Sequence, residues 1–261
     1  MPPGRAIWSG AISFGLVNVP VKLHTATQSK DVRFNQLEAA TGARIRYRKV
    51  SEATGEEVAA EDIVKGYDLG GGRYVVIDNE ELASLAPKAS HTIEINEFVD
   101  VDEIDPIFYE SPYYLFPDRN GEKAYRLLVE TMAGLGKAAI GRIIVRSKEH
   151  LAAIRAVDGV LCLETMRFAD EVADPADVGD VPDGGIEVTE REVDMARQLV
   201  DSLTAKWDPD RYRDSYREQV LELIDAKAAG QEIVTEPSPE TSAKVVDLMA
   251  ALEASLAQAD G

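Results

Sequence analysis

The sequence predicts a mixed α+β protein in which a β-barrel or sandwich fills the first two thirds and helices fill the rest. Three observations predict it. Short alternating apolar segments recur between Gly- and Pro-rich turns as far as about residue 168. Only one segment among them has a clear helical period. Beyond residue 186 the signals change to helix caps followed by apolar residues at 3–4-residue spacing.

The elements follow in order. Ile12–Val17 and Val19–Thr25 read as paired strands. The second alternates Val19, Val21, Leu23 and Thr25 against Lys22 and His24, and Pro20 marks an edge or a bulge. Arg44–Val50 also alternates and is predicted as a strand. Arg73–Ile77 follows the turn Gly70-Gly71-Gly72, and Thr92–Val99, Tyr113–Phe116, Ala138–Val145 and Val160–Phe168 supply the remaining strands. Glu122–Leu135 is the helix among them, with Leu127, Leu128 and Met132 on its apolar side. Residues 170–185 are rich in Asp, Pro and Gly and form a connection. Thr189-Glu190-Arg191-Glu192 is a capping-box pattern that opens a helix bearing Val193, Ala196, Leu199, Val200 and Leu203. Asp208-Pro209 predicts the start of a second helix running to about Lys227. Residues 230–240 are a polar linker. A last helix follows, with Val245, Leu248, Met249, Leu252 and Leu256 on one stripe. That stripe suits either packing on its own domain or docking into a partner's groove.

With 45% hydrophobic residues the chain can bury a sizeable core. Met1-Pro2-Pro3-Gly4-Arg5 leads into no apolar signal-peptide core, and no stretch approaches the ~18–20 apolar residues of a membrane span. A cytoplasmic protein is expected. Cys162 is the sole cysteine, which rules out an intrachain disulfide or a thiolate metal cluster. Its neighbours Val160, Leu161 and Leu163 predict a core thiol.

Charge is segregated. Net charge is −19, yet residues 1–50 hold eight Lys and Arg against two acids, and residues 119–155 hold eight against three. Residues 51–118 and 156–261 are strongly acidic. Such basic islands fit a phosphate-bearing partner, although ordinary solvated faces fit as well.

No catalytic constellation accompanies them. Thr131–Ala138 superficially resembles a phosphate loop, but it lacks the first glycine and the magnesium-binding hydroxyl, and it closes a helix instead of opening one. His24, His91 and His150 are scattered. The acids Asp100, Asp102, Glu103 and Asp105 lack the glycine and terminal glutamate of a calcium loop. No catalytic residue, metal ligand or cofactor is expected. A nuclease using Asp100, Asp102 and Asp105 ranks last, because no histidine or lysine cluster accompanies them.

The basic islands have better geometry. On a strand, Arg44, Arg46 and Arg48 would share a face at ~6.8 Å spacing, a row able to follow successive phosphates without reading bases. A charge-guarded edge strand is the other reading. Lys22, Arg33 and Lys49 add to the first island. Arg142 and Arg146 share one face of a predicted strand in the second, as in a barrel wall or a channel lining. No recognition helix or zinc finger is present for base reading.

The segments Arg5-Ala6-Ile7-Trp8-Ser9-Gly10 through Leu23, Arg44–Val50, Asp62–Tyr67, Glu94–Phe98, Tyr113–Leu115, Glu164–Glu171, Met195–Thr204 and Asp208–Tyr212 together resemble bacterial Ku, the DNA-end-binding family of non-homologous end joining. The resemblance covers nearly the whole chain. It implies a Ku-core β-barrel over residues 1–170 with an extended bridging arm at about 33–77 that encircles DNA. It further implies a helical C-terminal region: 186–229 for dimerisation, 230–240 as linker, and 241–258 as the minimal C-terminal helix that meets DNA ligase D. The implied function is a non-catalytic, nucleoid-associated homodimeric ring. It threads onto double-stranded DNA ends without sequence preference, and it recruits the ATP-dependent ligase. Lys22, Arg33, Arg44, Arg46, Arg48, Lys49, Lys65, Arg73, Arg142 and Arg146 would face DNA, and Val245, Leu248, Met249, Leu252 and Leu256 the ligase. The alternative is a protein-only assembly factor with a Ku-like barrel. Two departures from the family pattern stand out. Val50–Glu56 occupies the place where many relatives carry a cysteine pair, so no metal or redox role carries over. The sequence ends in acidic residues where many relatives have a lysine-rich tail.

Overall fold

The computed structural model describes residues 5–85, 91–145, 148–180, 182, 185 and 187–230. They divide into two units. Residues up to 29 together with 35–174 form the first, and 30–34 with the residues from 175 onward form the second.

The first unit is built on a closed barrel. Its strands are β1 (Trp8–Phe14), β2 (Val17–Thr25), β5 (Thr92–Asp100), β6 (Tyr109–Pro117), β7 (Lys137–Val145), β8 (Lys148–Val157) and β9 (Val160–Met166). They run in the order β1-β2-β6-β9-β8-β7-β5. Neighbours are antiparallel except β1 and β5, whose parallel pairing of Ala11 with Thr92 through Ser13 with Glu94 closes the ring. Closure leaves these strands without a free edge. The inward residues, Ile12, Val19, Val21, Leu23, Ile93, Leu115, Ile143, Ile154, Leu161 and Leu163, are almost wholly shielded from solvent. Each contributes about 1.5–3 kcal/mol of transfer free energy, so this core dominates over the exposed ion pairs, worth about 0–1 kcal/mol each.

Helix α2 (Glu122–Leu135) packs on β8, β2 and β7 through Tyr125, Leu128, Val129 and Met132. The Tyr125 hydroxyl donates to the Leu115 carbonyl at 2.6 Å and accepts from the Leu161 N–H at 2.9 Å. Leu115 and Leu161 are the last pair of the β6–β9 ladder. The phenol therefore satisfies two backbone groups where the strands part.

Several sequence expectations move. The first strand runs Trp8–Phe14 where Ile12–Val17 was expected: Gly15 (φ +58°) and Leu16 make the turn that ends it at Phe14, and its ladder with β2 reaches back to Trp8 opposite Leu23. Pro20 pairs with Ala11 on the β1 side, while the β2–β6 ladder starts only at Val21, so its missing N–H interrupts nothing. Lys148–Val157 is a strand that its Ala-rich sequence conceals. Buried on both faces between β7 and β9, it shows little alternation.

Arg44–Val50 is not a strand. Isolated bridges join Leu37 to Arg44 and Val50 to Glu57, around turns at Gly42 (φ +69°) and Gly55 (φ +72°). An alternating sequence makes a ladder only where a neighbouring strand is at hand, and this stretch has none. Further along, β3 (Lys65–Asp68) and β4 (Tyr74–Ile77) form a hairpin across Gly70-Gly71-Gly72, all three at positive φ. β3 was not expected. α1 (Asn79–Leu85) follows. No described residue from 27 to 85 is buried.

The second unit holds α3 (Pro175–Val178), α4 (Glu190–Leu203) and α5 (Ser215–Ala228). The predicted capping box is present, with the Thr189 hydroxyl accepting from Glu192 N and the Glu192 carboxylate accepting from Thr189 N. The second helix starts later than Asp208. That residue caps only the single turn Pro209–Arg211, and Asp214, accepting from Arg217 N at 2.9 Å, starts α5. The segments 231–240 and 241–258 lie outside the described residues.

Candidate nucleic-acid interface

The predicted contacts fall into three groups. Arg44, Arg46, Arg48 and Lys49 lie in the connection between the Gly42 and Gly55 turns, and all are exposed. Backbone bonds hold this connection at both ends, Ile45 N donating to Gln36 O and Val58 N to Lys49 O. The Tyr47 hydroxyl donates to the Gln36 side chain. Within the row, Arg48 is ion-paired to Glu57 at 3.1 Å.

Lys65 and Arg73 belong to the hairpin. Lys65 opens β3 opposite Ile77, and Arg73 follows the glycine turn, its carbonyl accepting from Leu69 N at 2.9 Å. Both side chains project from a two-stranded ribbon with solvent on each face. Tyr67, Tyr74 and Val76 are more than half exposed beside them.

Lys22 and Arg142 stand on the barrel wall, on β2 and β7. Those strands are separated by β1 and β5, so the two cations do not form one row. Both point outward. The barrel interior is packed with aliphatic side chains, so Arg142 stands on the outer wall of the barrel and not in its interior. Each already has a partner. Lys22 Nζ lies 2.6 Å from Asp118, and that contact holds the Asp118 carboxyl below the usual carboxylate range. Arg142 bonds Glu149 of β8 at 2.7 Å. Arg33 belongs to the second unit, and Arg146 lies outside the described residues, as do Val245, Leu248, Met249, Leu252 and Leu256.

Sequence reasoning passed over Arg119 and Lys123. Arg119 follows Asp118, whose carboxylate accepts from the Arg119 N–H at 2.8 Å, and Lys123 lies in the first turn of α2. Arg119 is thus one more exposed cation beside the Lys22–Asp118 pair, and Lys123 is exposed as well. The excess of bases over residues 119–155 was the available signal.

Two of the three acids considered for catalysis, Asp100 and Asp105, are engaged in structure. Asp100 pairs with Lys137 at 2.8 Å, and Asp105 accepts from Ile107 N at 2.9 Å to start the turn Pro106–Phe108. No group of three or more His, Cys, Asp or Glu able to hold a metal occurs among the described residues. Cys162 is buried, and burial pushes its thiol up from the ordinary range. It sits beside the Arg155–Glu164 pair, which bonds through Nη2 at 2.6 Å and Nε at 3.1 Å. The arrangement can hold a polyanion by charge.

Comparison with known proteins agrees with the barrel. The family model described as the Ku70/Ku80 beta-barrel domain matches residues 13–195. A protein named "Non-homologous end joining protein Ku" from Anaeromyxobacter sp. (strain K) is 50% identical over 98% of this chain and 86% of its own length. Proteins of the same name from Frankia casuarinae and Archaeoglobus fulgidus are 46% and 41% identical, over 98% and 96% of this chain. The chain spans 64% of the Frankia protein and 99% of the Archaeoglobus one.

Proposed function

The chain belongs to the Ku family of non-homologous end joining proteins, a non-catalytic DNA-binding family, and from that premise we propose that it is a homodimeric ring threaded by the ends of double-stranded DNA. The observation that carries the reading is the arm. Residues 35–77 hold Arg44, Arg46, Arg48, Lys49, Lys65 and Arg73 outside the barrel core, on a segment in which nothing is buried. Within it Arg44, Arg46, Arg48 and Lys49 stand together on an exposed stretch with no acid among them, and such a local basic cluster is suited to an external polyanion by backbone contact that is blind to sequence.

The net charge of −19 fits the same reading. A ring retains duplex by topology, so few phosphate contacts suffice, and acidic outer faces disfavour side-on binding. Dimerisation falls to residues 186–229. No residue of α4 or α5 is buried, and α4 leaves Val193, Val200 and Leu203 exposed for a second copy. Residues 241–258, with the stripe Val245 to Leu256, are assigned to DNA ligase D. The setting is the cytoplasm, at the nucleoid.

Gel-shift titration of linear duplex against a covalently closed circle of the same sequence tests the proposal. Binding restricted to the linear form is expected. Equal affinity for the two forms overturns threading, and binding to neither leaves a protein-only assembly factor.

A further inference from the structure

One flank of α2 carries an apolar groove that contact with DNA does not use. The helix turns Tyr125, Leu128, Val129 and Met132 toward the barrel core, yet its apolar surface continues past them. Leu127 and Leu135 are 66% and 64% exposed, and with Val17 and Phe98, each 43% exposed, they border a groove of about 510 Å³. Phe14 lines it too, meeting Phe98 edge to face with ring centroids 6.0 Å apart. Lys137 is the one charged side chain among the described lining residues, and it is already paired with Asp100 at 2.8 Å. An open apolar surface of this kind marks a contact. All of these residues belong to the barrel unit and lie outside 186–229, the segment given to the contact between copies.

The chain carries a stripe of matching period and length. The groove follows α2 from Ala124 to Leu135, which at the helical rise is ~16 Å. Val245 to Leu256 spans the same number of residues, and as a helix it sets Leu248, Met249 and Leu252 between them on one side. Charge agrees. Lys123 is exposed one turn before Leu127 and makes no ion pair among the described residues. On the predicted helix Glu253 stands one turn from both Met249 and Leu256, at the border of the stripe, and residues 241–258 hold two acids against one base. The preceding residues 231–240 reach up to ~33 Å when extended, so the seat of the stripe is not tied to α5.

We propose that the segment 241–258 seats its apolar stripe in the groove beside α2 when no ligase is bound, with Glu253 meeting Lys123. Helix against helix removes both stripes from water together. One stripe cannot face the groove and a partner at once, so ligase D has to displace the segment before it can bind it. That competition rests on the assignment of 241–258 to the ligase, whereas the docking does not.

The test is the rate at which a fluorescent maleimide labels single cysteines placed in the full chain. Cys162 is buried, so the unaltered protein supplies the blank. Leu127→Cys probes the groove, Leu252→Cys the stripe, and Ala254→Cys the opposite side of the predicted helix. With the segment docked nine times in ten, the first two should label about tenfold more slowly than the third. Leu252→Asp with Leu256→Asp should expose the thiol of Leu127→Cys. Leu127→Arg with Leu135→Arg, at positions that do not belong to the core, should expose that of Leu252→Cys. Fast labelling of Leu127→Cys in the otherwise unaltered chain means an open groove and overturns the docking. Protection of Leu127→Cys that survives the Asp changes gives the groove to a second copy, and protection of Leu252→Cys that survives the Arg changes gives the stripe another seat; each overturns it as well. Excess ligase D should speed labelling of Leu127→Cys while Leu252→Cys stays slow. Docking that ignores ligase D stands, and sinks the assignment of 241–258 to the ligase instead.

Discussion

Arg48 and Arg46 are two residues apart and differ in what they have to offer a phosphate. Arg48 is held by Glu57 at 3.1 Å, whereas no ion pair of Arg46 occurs among the described residues. A phosphate must compete with Glu57 for the first and meets no competitor at the second. Arg46→Ala should therefore lower the slope of log affinity against log salt by about one, and Arg48→Ala by less; equal changes in a salt titration would remove the distinction. Lys22 poses the same competition on the barrel wall, with a pH signature. The depressed Asp118 pKa means that its pair with Lys22 stabilises the fold above the ordinary aspartate value and stops doing so as pH falls through the depressed value. Asp118→Asn should thus lower the urea midpoint at neutral pH, and the difference from wild type should close as pH falls from the ordinary aspartate range through the depressed value. A gap that stays constant with pH would show that packing, not charge, is responsible. Tyr125 acts on the core instead. Tyr125→Phe leaves the Leu161 N–H without its acceptor at a buried site, a loss of about 1–3 kcal/mol read by chemical denaturation.

At the scale of elements, the sequence was legible wherever local pattern and tertiary setting agreed. β2 places Val19, Val21 and Leu23 inside and Lys22 outside, as its alternation predicted, and α2 spans Glu122–Leu135 as expected, because a one-sided surface imposes its period on the residues. β8 escaped notice because strands on both sides and cover on both faces erase alternation, so Ala152, Ala153 and Ile154 carry no period. The arm failed in the opposite sense. Arg44–Val50 alternates without a neighbour to pair with, and Gly42 and Gly55 fold it into turns. The cations were legible as a charge excess, but Glu57, Asp118 and Glu149 as their partners were not, since each pairing depends on how the chain is folded. α4 carries the sharpest element-level expectation. Its apolar face is exposed and none of its residues is buried, so Val200→Asp with Leu203→Asp should leave barrel stability and helical content unchanged by circular dichroism. The same variant should be monomeric by sedimentation, because a contact between copies would have to bury two carboxylates. A dimer that persists would take α4 out of the interface.

For the whole molecule, charge and topology make separable demands. A chain of net −19 that held duplex by Coulomb attraction alone would release it as salt rises, because counterion release weakens every phosphate contact together. A closed ring does not need those contacts to persist once the DNA has no end. The two mechanisms part company when a linear duplex is loaded at low salt, joined into a circle by an added ligase, and then challenged with concentrated salt. Threaded protein should remain on the circle and leave only after a restriction enzyme reopens it, whereas on unjoined linear DNA it should slide off during the challenge. Pull-down of the DNA with quantification of retained protein reads both arms. Loss from circle and line at the same salt concentration would mean that the basic arm binds duplex from the side. The barrel would then be a scaffold for a charged surface and not one wall of a ring.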